Sequence, residues 1–126
     1  MDTNTLVDIK YEQGKLLIEA LDEEGEIVPI ALWMNIPERG GWMLYLAVKN
    51  IQKRGARDVF TKINHAITLK KIDISLNDIS LIDNQAELCK ALRSMIRVGP
   101  QIGKVVFTNN FNNGRPFPDS VIYRVS

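Results

Sequence analysis

The side chains best suited to nucleophilic catalysis or metal binding are scarce in this sequence. The chain has 126 residues but a single histidine, His65, and a single cysteine, Cys89. A zinc site usually takes three or four such ligands, so we expect no zinc. A Cys89–His65 dyad stays open, because catalytic partners meet in space and not in sequence. Helical spacing favours instead an exposed His65 and a packed Cys89, since free cysteine is among the most often buried residue types.

Carboxylates are more frequent, but their spacing does not match a cation site. The acidic residues clustered at the predicted turn 22–25 lack the D-x-D-x-D-G pattern and the distal glutamate of a calcium loop. Asp73, Asp78 and Asp83 recur every five residues, so along a strand they would alternate between faces. The sequence has neither a phosphate-binding glycine loop nor a G-x-S-x-G motif. We therefore expect no catalytic set, no metal and no cofactor.

Charge is divided unevenly along the chain, although the formal net charge is only +1. Residues 1–40 have nine acids and three bases, whereas residues 41–126 have thirteen bases and six acids. The most basic stretch runs from Lys49 to Lys71, where Asp58 is the only acid. This asymmetry predicts a polarised surface that influences encounters with charged partners.

The basic stretch supplies the first candidate binding surface. Its candidate binding residues are Lys49, Lys53, Arg54, Arg57 and Lys62. Backbone amides at the start of the following helix favour anions, so a phosphate, a nucleic-acid backbone or an acidic protein surface would fit. The alternative is a solvated face that binds nothing. The signal for nucleic acid is weak, because the one aromatic residue here, Phe60, points inward on the helical pattern.

The second candidate surface is the loop at residues 109–118. Its candidate binding residues are Asn110, Phe111, Asn112, Arg115 and Phe117. Amide, aromatic and guanidinium groups together suit recognition. The alternative is that both phenylalanines fold back onto the core while the asparagines satisfy the turn. The sequence does not decide between the two.

A third group of residues is a candidate subunit interface. Trp33, Trp42 and Tyr45 surround a predicted turn, and residues of these types are enriched in protein interfaces. We expect most of this group to be core. Any part left exposed would be covered most simply in a two-fold dimer. A protein partner, self-association or both are therefore expected.

Four strands are predicted before the first helix, and they form an antiparallel meander. Alternating apolar and polar residues, with glycine in the turns between them, are typical of such strands. The last strand is almost wholly apolar, as expected of a strand covered on both faces. The four predicted strands are residues 6–11, 15–21, 26–36 and 42–48.

Two helices are predicted in the remainder of the chain. Apolar residues with helical spacing predict the first over residues 58–67, and alternating isoleucines then predict a strand over residues 72–76. Asn84 and Glu87 resemble a capping box for the second helix, which extends to Arg97.

Two closing strands, residues 104–108 and 120–125, complete the predicted order ββββ-α-β-α-ββ. Hairpins followed by helices indicate an α+β fold, with a single layer of helices on the sheet. The length indicates one domain over residues 1–126.

The first residues lack the features of a secretory signal, and no apolar stretch is long enough to cross a bilayer. A lone cysteine fits a reducing compartment. We therefore expect a cytoplasmic protein without membrane contact.

These observations lead to a non-enzymatic protein-interaction or adaptor module, which we expect to be a homodimer. The alternative is a nucleic-acid or phosphate-binding protein that uses the basic residues 49–71. A third hypothesis is a small enzyme that uses aspartate, asparagine and arginine side chains, and it requires a deep pocket that joins them.

Overall fold

The computed structural model describes residues 6, 8–26, 28–96, 98–108, 110–112 and 114–126. Its elements are α1 (Asp8–Glu23), β1 (Ile30–Ile36), β2 (Gly41–Val48), α2 (Ile51–Arg54), α3 (Ala56–Lys70), β3 (Ile79–Asp83), α4 (Glu87–Met95), β4 (Val105–Phe107), β5 (Asn110–Asn112), β6 (Arg115–Phe117) and β7 (Ser120–Val125). Short 3-10 turns, Pro37–Arg39 and Leu76–Asp78, precede β2 and β3. The described residues thus form a mixed α+β fold with four helices and a five-stranded sheet.

The five-stranded sheet has the order β3-β2-β1-β7-β4. β1 pairs antiparallel with β2 and with β7, and β7 pairs antiparallel with β4. β3 runs parallel to β2, because α2 and α3 carry the chain back between the two strands. β3 and β4 are therefore the edge strands. β5 and β6 form a separate two-stranded sheet.

Helices cover both faces of the sheet, so the predicted single layer is wrong. On one face, Trp33 and Leu46 share a cluster with Leu17 of α1 and Ile63 of α3. The cluster on the other face includes Leu32, Tyr45, Phe117 of β6, and Cys89 and Leu92 of α4. The inner strands are apolar on both faces, so each face requires a covering layer.

None of the helices in the described part of the chain is long and apolar enough to cross a bilayer.

The first two predicted strands, residues 6–11 and 15–21, are wrong, because α1 covers most of these residues. Gly14, which the sequence predicts to form a turn, lies inside the helix and is buried. Leu17, Ile18 and Leu21 follow it at three, four and seven residues and are buried as well. This spacing is that of one helical face packed on a sheet.

The strand predicted over residues 72–76 is displaced towards the C-terminus. Ile72 and Ile74 are buried, which explains their alternation, but pairing with β2 begins at Ile79. The backbone N–H of Asp73 donates to Gln13 Oε1 of α1 at 2.7 Å instead of joining the sheet. The alternating pattern thus reflects packing against a helix.

The remaining predictions of secondary structure are partly correct. The predicted capping box is wrong, because α4 begins after Ala86 and the Asn84 side chain accepts a hydrogen bond from Arg93. Arg97 lies outside the described residues. The predicted strands 26–36, 42–48, 104–108 and 120–125 overlap β1, β2, β4 and β7, and the helix predicted over residues 58–67 lies within α3.

A bulge in β7 joins the sheet to α1. Ala31 pairs with Arg124 and Leu32 with Ile122, so Tyr123 is an extra residue. Tyr123 and Arg124 both contact α1. The Tyr123 hydroxyl donates to the Tyr11 carbonyl oxygen at 2.6 Å, and Arg124 binds both carboxylate oxygens of Asp22 at 3.0 and 2.6 Å. Two strong polar contacts therefore hold α1 in position.

Candidate interaction surfaces

The predicted basic surface is partly neutralised within the chain. Arg54 of α2 donates two hydrogen bonds to the Glu26 carboxylate, at 2.8 and 2.5 Å, and a third to Asp58 at 3.1 Å. Lys62 Nζ lies 3.5 Å from Glu26 Oε1. The Arg54 hydrogen bonds hold the pKa of Glu26 below its ordinary value, although burial of the carboxyl group acts in the opposite direction. Arg54 and Lys62 are thus engaged in an internal cluster.

One further ion pair, and a histidine near a carboxylate, lie along α3. Lys70 Nζ lies 3.4 Å from Glu23 Oε2, and His65 Nε2 lies 3.6 Å from Glu24 Oε1. The acidic turn that ends α1 therefore faces the basic side of α3. Acidic residues at and just after the end of α1 therefore contact basic residues of α2 and α3. Because these charges pair within the chain, the outer surface is less polarised than predicted.

Lys49, Lys53 and Arg57 are the exposed remainder of the predicted basic surface. No described residue forms an ion pair with any of the three. Lys49 follows β2 directly, and Lys53 lies in α2, which packs against β3. These two lysines therefore lie near the C-terminal end of β3.

His65 and Cys89 do not form a dyad. His65 is exposed on α3, whereas Cys89 belongs to α4 and is buried on the opposite face of the sheet. The Cys89 thiol donates to the Asp83 carbonyl oxygen at 3.3 Å, and burial raises its pKa. A thiol with a raised pKa is a poor nucleophile at neutral pH. In the described ranges there is also no group of three His, Cys, Asp or Glu residues placed to hold a metal ion.

The loop at residues 109–118 contains the β5–β6 hairpin, in which Asn110 pairs with Phe117 and Asn112 with Arg115. Asn109, Asn113 and the side chains of residues 110–112, which include candidate Phe111, lie outside the described part. Phe117 is buried and meets Phe107 edge-to-face at 6.0 Å between ring centroids. It therefore belongs to the core, while Arg115 is exposed.

Of the three predicted interface residues, two are buried in the core and one is partly exposed. Trp33 and Tyr45 are only 1% and 2% exposed, so both are core residues and present no surface to a partner. Trp42 is partly exposed and borders two clefts of about 310 and 510 Å³. Its indole N–H is buried and finds no acceptor among the described residues. Of the three, Trp42 alone remains a candidate contact.

The outer edge of β3 is a surface that the sequence did not reveal. β3 ends the sheet, and no described strand pairs with its outer side. Its five residues, Ile79–Asp83, contain neither lysine nor proline, which commonly protect edges from pairing. The opposite edge, β4, has three residues and follows Lys104 directly. The signal for β3 was the set of apolar residues at positions 79, 81 and 82, which competed with the isoleucines at residues 72 and 74.

Comparison with known proteins does not assign this chain to a family. No family model, no curated protein and no solved structure matches this chain.

Proposed function

We propose that this chain is a non-enzymatic protein-interaction module that pairs with another polypeptide through the outer edge of β3. The observation that carries the proposal is that edge itself. A strand at the end of a sheet presents unpaired backbone N–H and C=O groups, and an added strand satisfies them. Residues of both apolar clusters reach this edge, because Leu81 packs on the α1–α3 side and Ile82 on the α4 side.

Several observations support an interaction function over catalysis. The imidazole of His65 and the thiol of Cys89 lie on opposite sides of the sheet. The clefts beside Trp42 contain carboxylates and lysines, but no histidine, cysteine or arginine among their described lining residues. The buried reduced thiol suits a cytoplasmic location, which we include in the proposal.

The alternative function, nucleic-acid or phosphate binding, loses two of its five candidate residues to the Glu26 cluster. Nucleic-acid affinity rises steeply with the number of cations that contact phosphates. Three exposed side chains, at residues 49, 53 and 57, offer a small footprint for that purpose. This small footprint supports our choice of a protein partner over nucleic acid.

Site-specific photo-crosslinking in cells that produce the chain tests this proposal. We expect a photoreactive amino acid at Ser80 of β3 to give a discrete protein adduct. The matched control is the same amino acid at Val106 of β4, which is 57% exposed but lies on the protected edge. An adduct at Ser80 that is absent at Val106 supports the proposal. Absence of an adduct at Ser80, with or without one at Val106, overturns it.

A further inference from the structure

We infer that the polypeptide bound at β3 is a second copy of this chain, paired antiparallel about a two-fold axis that passes beside Leu81. This inference rests on the proposed function and names its partner. Two-fold dimers are the commonest assembly of identical chains, and they require a self-complementary surface. The β3 edge has this property in its length, its apolar pattern and its charge.

Length and pattern determine the register of the pair. Centring the axis on Leu81 places Leu81 opposite its own copy and leaves the Leu81 N–H and C=O, the Ile79 C=O and the Asp83 N–H to pair across the axis. The Ile79 N–H and the Asp83 carbonyl oxygen are already bonded within the chain, to Leu76 and Ala86. Ser80 then lies opposite Ile82 of the other protomer. Residues directly opposite one another share a face, so Leu81 meets Leu81 on one face and Ile82 meets Ser80 on the other, while Ile79 lies opposite Asp83. The two five-stranded sheets become one continuous sheet.

Charge distinguishes antiparallel self-pairing from other arrangements. The C-terminal end of β3 lies beside Lys49, because Val48 pairs with Asp83, and beside Lys53 of α2. Asp83 is also at this end, where its carboxylate accepts the Gln85 backbone N–H at 2.7 Å. The N-terminal end of β3 follows Asp78 directly. Antiparallel pairing brings the lysine end of one protomer to the Asp78 end of the other, twice per dimer.

The first test measures the molar mass of the purified full chain over a range of concentrations. We expect a dimer whose dissociation constant rises with salt, because exposed charges are screened. Ser80→Lys adds a protecting lysine to the edge and should give a monomer, whereas Ser80→Thr should remain dimeric. Circular dichroism of each variant reports whether the fold is intact.

A charge exchange tests the proposed contact between protomers. Lys53→Glu alone and Asp78→Lys alone should each weaken the dimer by about tenfold, since each change affects two symmetric contacts. The double variant should recover most of that loss. Single variants without effect, or a double variant as weak as the sum of the two, would overturn the antiparallel arrangement.

Disulfide trapping locates the axis and separates the two proposals. Leu81→Cys should form a covalent dimer on mild oxidation, because directly opposed strand residues satisfy disulfide geometry. Val106→Cys on β4 is the control, and the buried Cys89 should not react. A dimer that Leu81→Cys does not trap overturns the inference. A chain that stays monomeric while Ser80 crosslinks to a different protein overturns the second copy as partner and leaves the proposed function standing.

Discussion

Gly14→Ala should lower the free energy of unfolding by about 2 kcal/mol, although alanine is the better helix former. A Cβ atom at position 14 would lie 2.3 Å from the Tyr123 hydroxyl oxygen and 3.0 Å from Trp33 Nε1. These two atoms form a buried hydrogen bond of 2.8 Å. Both side chains are packed in the core, so the methyl group must push apart a satisfied polar pair. Urea denaturation measures the loss.

A double-mutant cycle identifies the cause of this loss. Tyr123→Phe removes the oxygen atom nearest to the added methyl group, so Gly14→Ala should cost at least 1 kcal/mol less in that background, roughly the scale of coupling between residues in contact. Glu19→Ala, on the exposed side of α1, is the control and should change stability little. An alanine at position 14 that stabilises the protein would show that Tyr123 does not approach the helix as described.

Arg54→Met should lower the free energy of unfolding at neutral pH by about 2 kcal/mol. The Glu26 side chain is only 8% exposed, and Arg54 supplies its two shortest contacts. Without Arg54, a largely buried carboxylate keeps Lys62 as its one cationic neighbour among the described residues. Thermal or urea unfolding at pH 7 measures this effect. Lys53→Met, in the same short helix but without a described ion pair, is the matched control.

The same substitution has a pH dependence with a defined sign. Arg54 holds the pKa of Glu26 below its ordinary value. A carboxyl group with a lowered folded-state pKa stabilises the fold above its unfolded pKa, about 4.3 for glutamate, and this stabilisation is lost as the pH falls through the folded-state value. The stability difference between wild type and Arg54→Met should therefore be complete at neutral pH and shrink as acid protonates Glu26. A difference that stays constant down to about pH 3 would contradict this role.

The fold could be predicted from the sequence wherever local pattern and tertiary packing agree. β2 is an example, because its apolar run requires cover on both faces and receives it from α1, α3 and α4. α1 was missed because Gly14 resembles a turn residue. Its real role, to let Tyr123 approach the helix, depends on a strand more than one hundred residues away. Such a contact leaves no local pattern.

The candidate surfaces were harder to predict for a related reason. The acid-rich residues 1–40 and the base-rich residues 41–126 predict a polarised surface, but α1 and α3 pack together and some of these charges form ion pairs. Sequence shows the amount of charge and not its partners. The edge position of β3 is likewise a property of the strand order, which pattern alone does not contain.

Hydrogen–deuterium exchange of the two edge strands, measured at high and low protein concentration, is the most direct test of pairing at β3. In that pairing, the outer backbone groups of β3 bond to another chain of the same kind. We expect the outward-facing amides of Leu81 and Asp83 to exchange more slowly at high concentration, because the N–H groups of Ser80 and Ile82 face β2 and that of Ile79 donates to Leu76. The amides of residues 105–107 in β4 should exchange equally at both concentrations. Exchange in β3 that is as rapid as in β4 and independent of concentration would contradict this pairing.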